Sequence, residues 1–246
     1  MAIIFLDVGA HNGESIEIAS SRKYRFDRLL AIEPSSYCHK KLKKYSDSRI
    51  EIFNFGLGGK DELRELYGTG SIGASVYVEK SQRVEQTELI KIKRFDNFFN
   101  THVSDIDQVF MKINIEGMED ELLLLLKYTN YKTIRALLIS FDLEKIPSKV
   151  HLKANMRDLL TNELKVEYQE LNSKNTLAKF LDTYPELRKK MSLKDYLYDF
   201  VRPDIPIGRQ VRRILKPIFP RSIWVNIALF IGPNSVLRLR LKKLHK

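Results

Sequence analysis

Ile3-Ile4-Phe5-Leu6-Asp7-Val8-Gly9-Ala10-His11-Asn12-Gly13-Glu14 opens the chain. Its apolar run, Ile3 to Leu6, is the pattern of a strand covered on both faces in a parallel sheet. Gly9 and Gly13 let the backbone turn sharply and approach a ligand with no Cβ in the way. Asn12 or His11 is placed to cap the helix that follows, and Glu14 falls in its first turn. A second apolar run, Leu29-Leu30-Ala31-Ile32, leads directly into Glu33-Pro34. In an open α/β sheet, ligands bind at the carboxyl ends of the strands. Glu33 stands about 20 residues beyond the glycines, the spacing of a carboxylate that binds ribose hydroxyls. Glycine turn and acid together predict a pocket for an adenosine-containing cofactor.

The turn is spaced Asp7-x-Gly9-x-x-x-Gly13, which departs from the G-x-G-x-x-G of dinucleotide sites. A pyrophosphate needs a helix N-terminus free of negative charge. Asp7 before the turn and Glu14 after it oppose one, which disfavours a nicotinamide oxidoreductase. A cationic ligand, such as a sulfonium with an amino-acid tail, suits this setting better. The bland alternative is a glycine turn that binds nothing; the matching acid at Glu33 argues against it.

These segments resemble the FkbM family of S-adenosylmethionine-dependent methyltransferases. The matching pieces are Asp7 to Gly13, Ile32-Glu33-Pro34-Ser35 and Lys112-Ile113-Asn114-Ile115-Glu116-Gly117-Met118-Glu119. Asn54-Phe55-Gly56-Leu57-Gly58 and Phe95-Asp96-Asn97-Phe98-Phe99 are similar to weaker landmarks of the family. The resemblance covers about residues 1–180. It implies a Rossmann-like class I methyltransferase fold, S-adenosyl-L-methionine as cofactor, and O-methyl transfer to hydroxyls of sugars or natural products. On this reading the cofactor contacts are Asp7, Gly9, Ala10, His11, Asn12, Gly13, Glu33, Pro34, Asn54 and Gly56.

Strands are expected near 3–7, 29–33, 50–55, 108–114, 135–141, 165–171 and 175–181, with helices near 12–22, 35–46, 95–100, 118–129 and 148–163. That alternation gives a mostly parallel sheet flanked by helices. Asn172-Ser173-Lys174-Asn175 between the last two strands is a hairpin signal, and an antiparallel hairpin closing the sheet is what the resemblance implies. Between 60 and 94 the alternation breaks: Leu63–Tyr67 and Glu88–Lys93 form extra strands around a glycine- and serine-bearing stretch. Long loops of that kind serve as lids or binding loops, or simply as solvated connections. The expected organisation is a cofactor-binding domain over 1–182 and a helical, basic extension over 183–246.

The chemical centre is expected at the end of the fourth parallel strand, where alternation puts Lys112, Asn114 and Glu116 on one face. Methyl transfer to a hydroxyl needs an aligned acceptor and a base. Glu116 is the candidate base or acceptor-orienting carboxylate, and Lys112 would steady negative charge on the acceptor oxygen. The competing reading is a structural Lys112–Glu116 ion pair. The family usually carries an aspartate where this chain has Asn114. An amide only hydrogen-bonds, which weakens a metal-dependent mechanism, and no metal is expected. Asp142 ends the next strand and could line the acceptor side.

Charge is unevenly spread over the 246 residues. Eleven of the 42 Lys and Arg residues, but only one of the 31 Asp and Glu residues, lie in 201–246, so this tail carries +10 of the net +11. Its apolar run, Ile223 to Ile231, is about half of the ~20 residues a membrane span requires. Basic residues mixed with Trp224, Phe219, Phe230 and aliphatics fit a segment lying on an anionic membrane surface. A packed helical cap and a nucleic-acid-binding arm compete with that reading. A glycan-type acceptor, lipid-linked at the cytoplasmic membrane face, is therefore expected. The rivals are an RNA methyltransferase and a cofactor-binding scaffold without catalysis. The sole cysteine, Cys38, excludes an internal disulfide and fits a reducing cytoplasm.

Overall fold

The computed structural model describes residues 1–201 apart from 72, 81–84 and 175. In chain order its elements are β1 (Ile3–Val8), α1 (Glu14–Ala19), β2 (Arg28–Ile32), α2 (Ser36–Leu42), β3 (Ile50–Phe53), β4 (Gly56–Gly58), β5 (Glu62–Tyr67), β6 (Thr87–Arg94), α3 (Phe95–His102), β7 (Gln108–Ile113), α4 (Glu119–Leu123), β8 (Ile134–Ile139), α5 (Leu152–Asp158), β9 (Tyr168–Glu170), α6 (Leu177–Asp182) and α7 (Leu193–Val201).

Six strands form a parallel sheet in the order β3-β2-β1-β7-β8-β9. The fold is α/β and Rossmann-like. Strand order reverses between β1 and β7, and the crevice at their carboxyl ends is where such sheets bind ligands. Both faces of the sheet are covered, which explains the unbroken apolar runs. Ile4, Leu6 and Val8 of β1 join Val109, Met111 and Ile113 of β7 in one core, with Phe95, Phe98 and Phe99 of α3 and Leu122 of α4. Phe5 and Phe110 enter the opposite core with Ile16 of α1 and Phe180 of α6.

The expected antiparallel hairpin is not what closes the sheet. β9 pairs parallel with β8, and residues 177–182 are helix. The physical reason is period: Leu177, Phe180 and Leu181 are all buried in the second core, and their i, i+3, i+4 spacing lines one face of a helix. An extended segment would have sent Leu177 and Phe180 to opposite faces. The 172–175 signal marks a loop into α6 instead of a hairpin turn.

The break at 60–94 is a second, three-stranded sheet ordered β4-β6-β5, with β5 and β6 antiparallel and β4 parallel to β6. Leu66, Ile90 and Ile92 on its inner face pack with Met118 in a small third cluster.

The chain divides into units 1–189 and 190–246. The first runs past Asp182 because Leu187 is buried in the second core. Of the second, α7 is described. Its start is capped reciprocally: Asp195 N–H donates to Ser192 Oγ (3.2 Å), and Ser192 N–H donates to Asp195 Oδ2 (3.0 Å). The basic, apolar tail and its three readings lie outside the described residues. Among the described residues, no helix is long and apolar enough to cross a membrane.

Candidate functional site

The turn after β1 is held by left-handed backbone at Gly9 (φ 87°), His11 (φ 50°) and Gly13 (φ 88°). Gly9 and Ala10 N–H groups both donate to the Ile32 carbonyl, at 3.1 and 2.9 Å, which pins the turn to the end of β2. His11 N–H then donates to Glu33 Oε2 (2.7 Å), and Ser35 N–H donates to Glu33 Oε1 (2.9 Å). Glu33 is thus fixed by one backbone bond on each oxygen, and each oxygen keeps a further lone pair. Burial pushes its carboxyl up, and the two N–H bonds pull it back in part. Asn54 Nδ2 donates to the carbonyls of Glu33 (3.1 Å) and Pro34 (3.0 Å), so it orients the acid from behind.

These pieces border a cavity of about 380 Å³, within the range of small-molecule sites. Gly9, Ala10, His11, Glu33, Pro34 and Gly56 line it; Asp7, Asn12, Gly13 and Asn54 do not. Gly13 shapes the turn: its carbonyl accepts Tyr45 O–H (2.9 Å), and a Cβ there would lie 2.3 Å from the Tyr45 ring. Asn12 Nδ2 lies 3.1 Å from the His11 ring, and that ring is 3.4 Å from Glu14. Burial raises the Glu14 carboxyl, but the bond to His11 and its own backbone N–H outweigh it and bring it down to about 2.

Lys112 and Asp7 are register partners on neighbouring strands. Lys112 Nζ donates to Asp7 Oδ1 (2.9 Å) and to the Gly9 carbonyl (2.8 Å). The Lys112–Glu116 ion pair of the competing reading is therefore not the one that forms. Asp7 has no exposed surface, and burial raises its carboxyl while Lys112 pulls it back. Lys112 lines the cavity, yet its ammonium is engaged in tying the glycine turn to Asp7.

Lys112, Asn114 and Glu116 all line the cavity but do not share one face of a strand. β7 ends at Ile113, and Glu116 turns left-handed at φ 58°, followed by Gly117 at 115°. The Glu116 carboxylate pairs with Lys80, and its carbonyl accepts Ser75 O–H at 2.7 Å. Asp142 is buried outside the cavity wall, where Ser140 Oγ donates to it (3.3 Å) and Lys145 pairs with it.

The far wall comes from the 60–94 segment, which the sequence offered as a lid or binding loop without naming its wall residues. Leu66, Ile90 and Ile92 of the small sheet, Met118, and Gly70, Ser71, Ala74, Ser75 and Val76 complete the cavity. The glycines and serines of that stretch were the available signal.

Glu119 was missed as a perturbed group. It begins α4, fully buried, and accepts Gly117 N–H at 2.9 Å. Its Oε2 has no hydrogen-bond partner among the described residues. Burial raises the carboxyl, the Gly117 bond lowers it, and Asp142 raises it further, to about 7. A carboxyl raised in the fold contributes its full stability below the ordinary value of 4.5, and between 4.5 and about 7 the fold alone still holds the proton. Stability from this group is lost as pH rises through that window. Glu119→Gln is expected to flatten the slope and to stabilise the protein at pH 8 by on the order of 2 kcal/mol. Urea unfolding of both forms from pH 5 to 8 measures it; parallel profiles would refute it.

A family model described as the Methyltransferase FkbM domain matches residues 7–198. No curated protein matches the chain. Among solved structures, the crystal structure of Methyltransferase FkbM from Methylobacillus flagellatus KT is 21% identical with a TM-score of 0.42, over 64% of this chain and 36% of that one. This chain thus spans about a third of the length of that protein.

Proposed function

Because this chain belongs to the FkbM methyltransferase family, we propose that it is an S-adenosyl-L-methionine-dependent O-methyltransferase acting on a hydroxyl of a sugar or glycan-type acceptor. The observation that carries this reading is Glu33, clamped by two backbone N–H groups beside the glycine turn and facing a cavity with Glu116 in its wall. Its remaining lone pairs suit two ribose hydroxyls, so the residues present fit the cofactor. When bound, that cofactor supplies an activated methyl group on a sulfonium.

The chain's own residues do the rest. Gly9 and Ala10 bring backbone close to the ligand with little side chain between. Lys112 and Asp7 hold the turn still, so that orientation is set before reaction. Glu116 would accept the acceptor's hydroxyl proton as that oxygen takes up the methyl group. Asn114 hydrogen-bonds rather than exchanges protons. The basic residues of 201–246 would bring the enzyme to an anionic membrane surface carrying a lipid-linked acceptor; what supports this is the charge asymmetry of the sequence.

Calorimetric titration of S-adenosylmethionine and its demethylated product into the wild type and Glu33→Ala tests the cofactor assignment. The wild type is expected to bind both. The variant should bind ten- to a hundredfold more weakly, the range of about 1.5–3 kcal/mol for hydrogen bonds to a charged group. A folded wild type that binds neither ligand would overturn the reading.

A further inference from the structure

We propose that Lys80, in the segment joining β5 to β6, is a positioning residue that holds the Glu116 carboxylate at the cavity wall. The proposal rests on Glu116 serving as proton acceptor in the reaction above. Lys80 does not line the cavity, whereas Glu116 does, so Lys80 acts through Glu116.

The backbone explains why Glu116 needs an external support. With Glu116 and Gly117 both left-handed, the chain has left the line of β7, and strand pairing no longer fixes the side chain. Gly117 stands at φ 115°, a backbone conformation that L side chains rarely adopt, so the turn depends on glycine there. Among the described residues, the ion-pair partner of Glu116 is Lys80. The pair is shielded, with side-chain exposures of 6% for Lys80 and 15% for Glu116, so solvent screens it little.

Three residues of the same segment dock on one turn of the main domain. Ser75 O–H donates to the Glu116 carbonyl (2.7 Å) while accepting Tyr77 N–H (3.1 Å). Tyr77 O–H donates to Glu121 Oε1 (3.0 Å), and Lys149 Nζ sits 4.4 Å from the Tyr77 ring centre. Lys80 completes the set. A connection that merely bridged two strands would need no such anchors on 116–121. The other charged groups acting on Lys80 are Asp142, Glu119 and Lys145. Burial disfavours its charged form, and the two acids oppose that effect.

The test uses the full-length protein with 13C at the glutamate side-chain carboxyls. Loss of one signal in Glu116→Gln identifies Glu116, and its titration is followed by NMR in the wild type, Lys80→Met and Lys80→Arg. Lys80→Met is expected to raise the Glu116 midpoint by about one pH unit or more, as loss of a close opposite charge does. Lys80→Arg should restore most of it. S-adenosylmethionine affinity, measured on the same samples, should stay within about threefold in both variants, since Lys80 is off the cavity wall. An unchanged midpoint in Lys80→Met would overturn the proposal. Should that variant fail to fold, Lys80→Gln makes the same comparison, and an unchanged midpoint there is equally fatal. Failure of the wild type to bind S-adenosylmethionine would instead refute the methyltransferase reading, leaving the midpoint to judge Lys80.

Discussion

Lys112→Met is expected to cost about 3–5 kcal/mol of folding stability and to abolish cofactor binding. Asp7 is fully buried, and Lys112 is the counter-charge bonded to it. Removing that partner leaves a carboxylate in a low-dielectric site, where an uncompensated charge costs far more than the pair contributes. The same change frees the Gly9 carbonyl, which Lys112 also holds at 2.8 Å, so the turn loses its anchor. Urea denaturation gives the stability loss and calorimetry the binding loss. The double variant Asp7→Asn/Lys112→Met should recover part of the stability, because the orphaned charge is gone. If Lys112→Met cost less than about 1 kcal/mol, the Asp7 carboxyl would have to be protonated in the fold and the pair could not be ionic.

Gly9→Ala is expected to be comparably severe, for a steric reason. Its φ of 87° is one that L side chains rarely adopt, and the added Cβ would lie 2.0 Å from the Asn114 carbonyl oxygen. That oxygen belongs to backbone, fixed because Asn114 N–H donates to Val8 O at 2.9 Å, so no side-chain rotation relieves the overlap. Left-handed strain of about 1–2 kcal/mol adds to an overpacking cost of about 1–3 kcal/mol. The expected total is roughly 4 kcal/mol, with the cavity distorted at the glycine turn. Thermal unfolding and S-adenosylmethionine titration read both effects. A variant that melts like the wild type and binds normally would show that the β1 turn can move away from β7, contrary to the geometry found here.

Much of the site was legible in the residues alone because the information was local. The Gly9–Gly13 turn, the acid at Glu33 and the apolar runs of β1 and β2 each lie within one element or its immediate end. Glu33 is found in the cavity wall where its distance from the glycines placed it. The small sheet at 60–94 announced itself as a break in alternation, although the role of Leu66, Ile90 and Ile92 as cavity wall did not. The segment at 175–181 carried both signals, a polar turn before it and a helical spacing of Leu177, Phe180 and Leu181 within it. Burial of all three in one core decides for the helix.

The chain's own order of residues was enough to establish a βαβ opening, a glycine turn and an acid at the end of parallel strands, and a basic tail after a near-neutral body. Each follows from periodicity, spacing or charge count, which need no knowledge of distant neighbours. Which charges meet is a different matter. Lys112 pairs with Asp7 across 105 positions because β1 and β7 lie side by side in register. Glu116 pairs with Lys80 where the backbone turns left-handed at Glu116 and Gly117, just past the end of β7. Strand neighbours and turn conformations of this kind are set by how the layers pack. An ion pair between residues far apart in the chain therefore became readable only once the chain was folded.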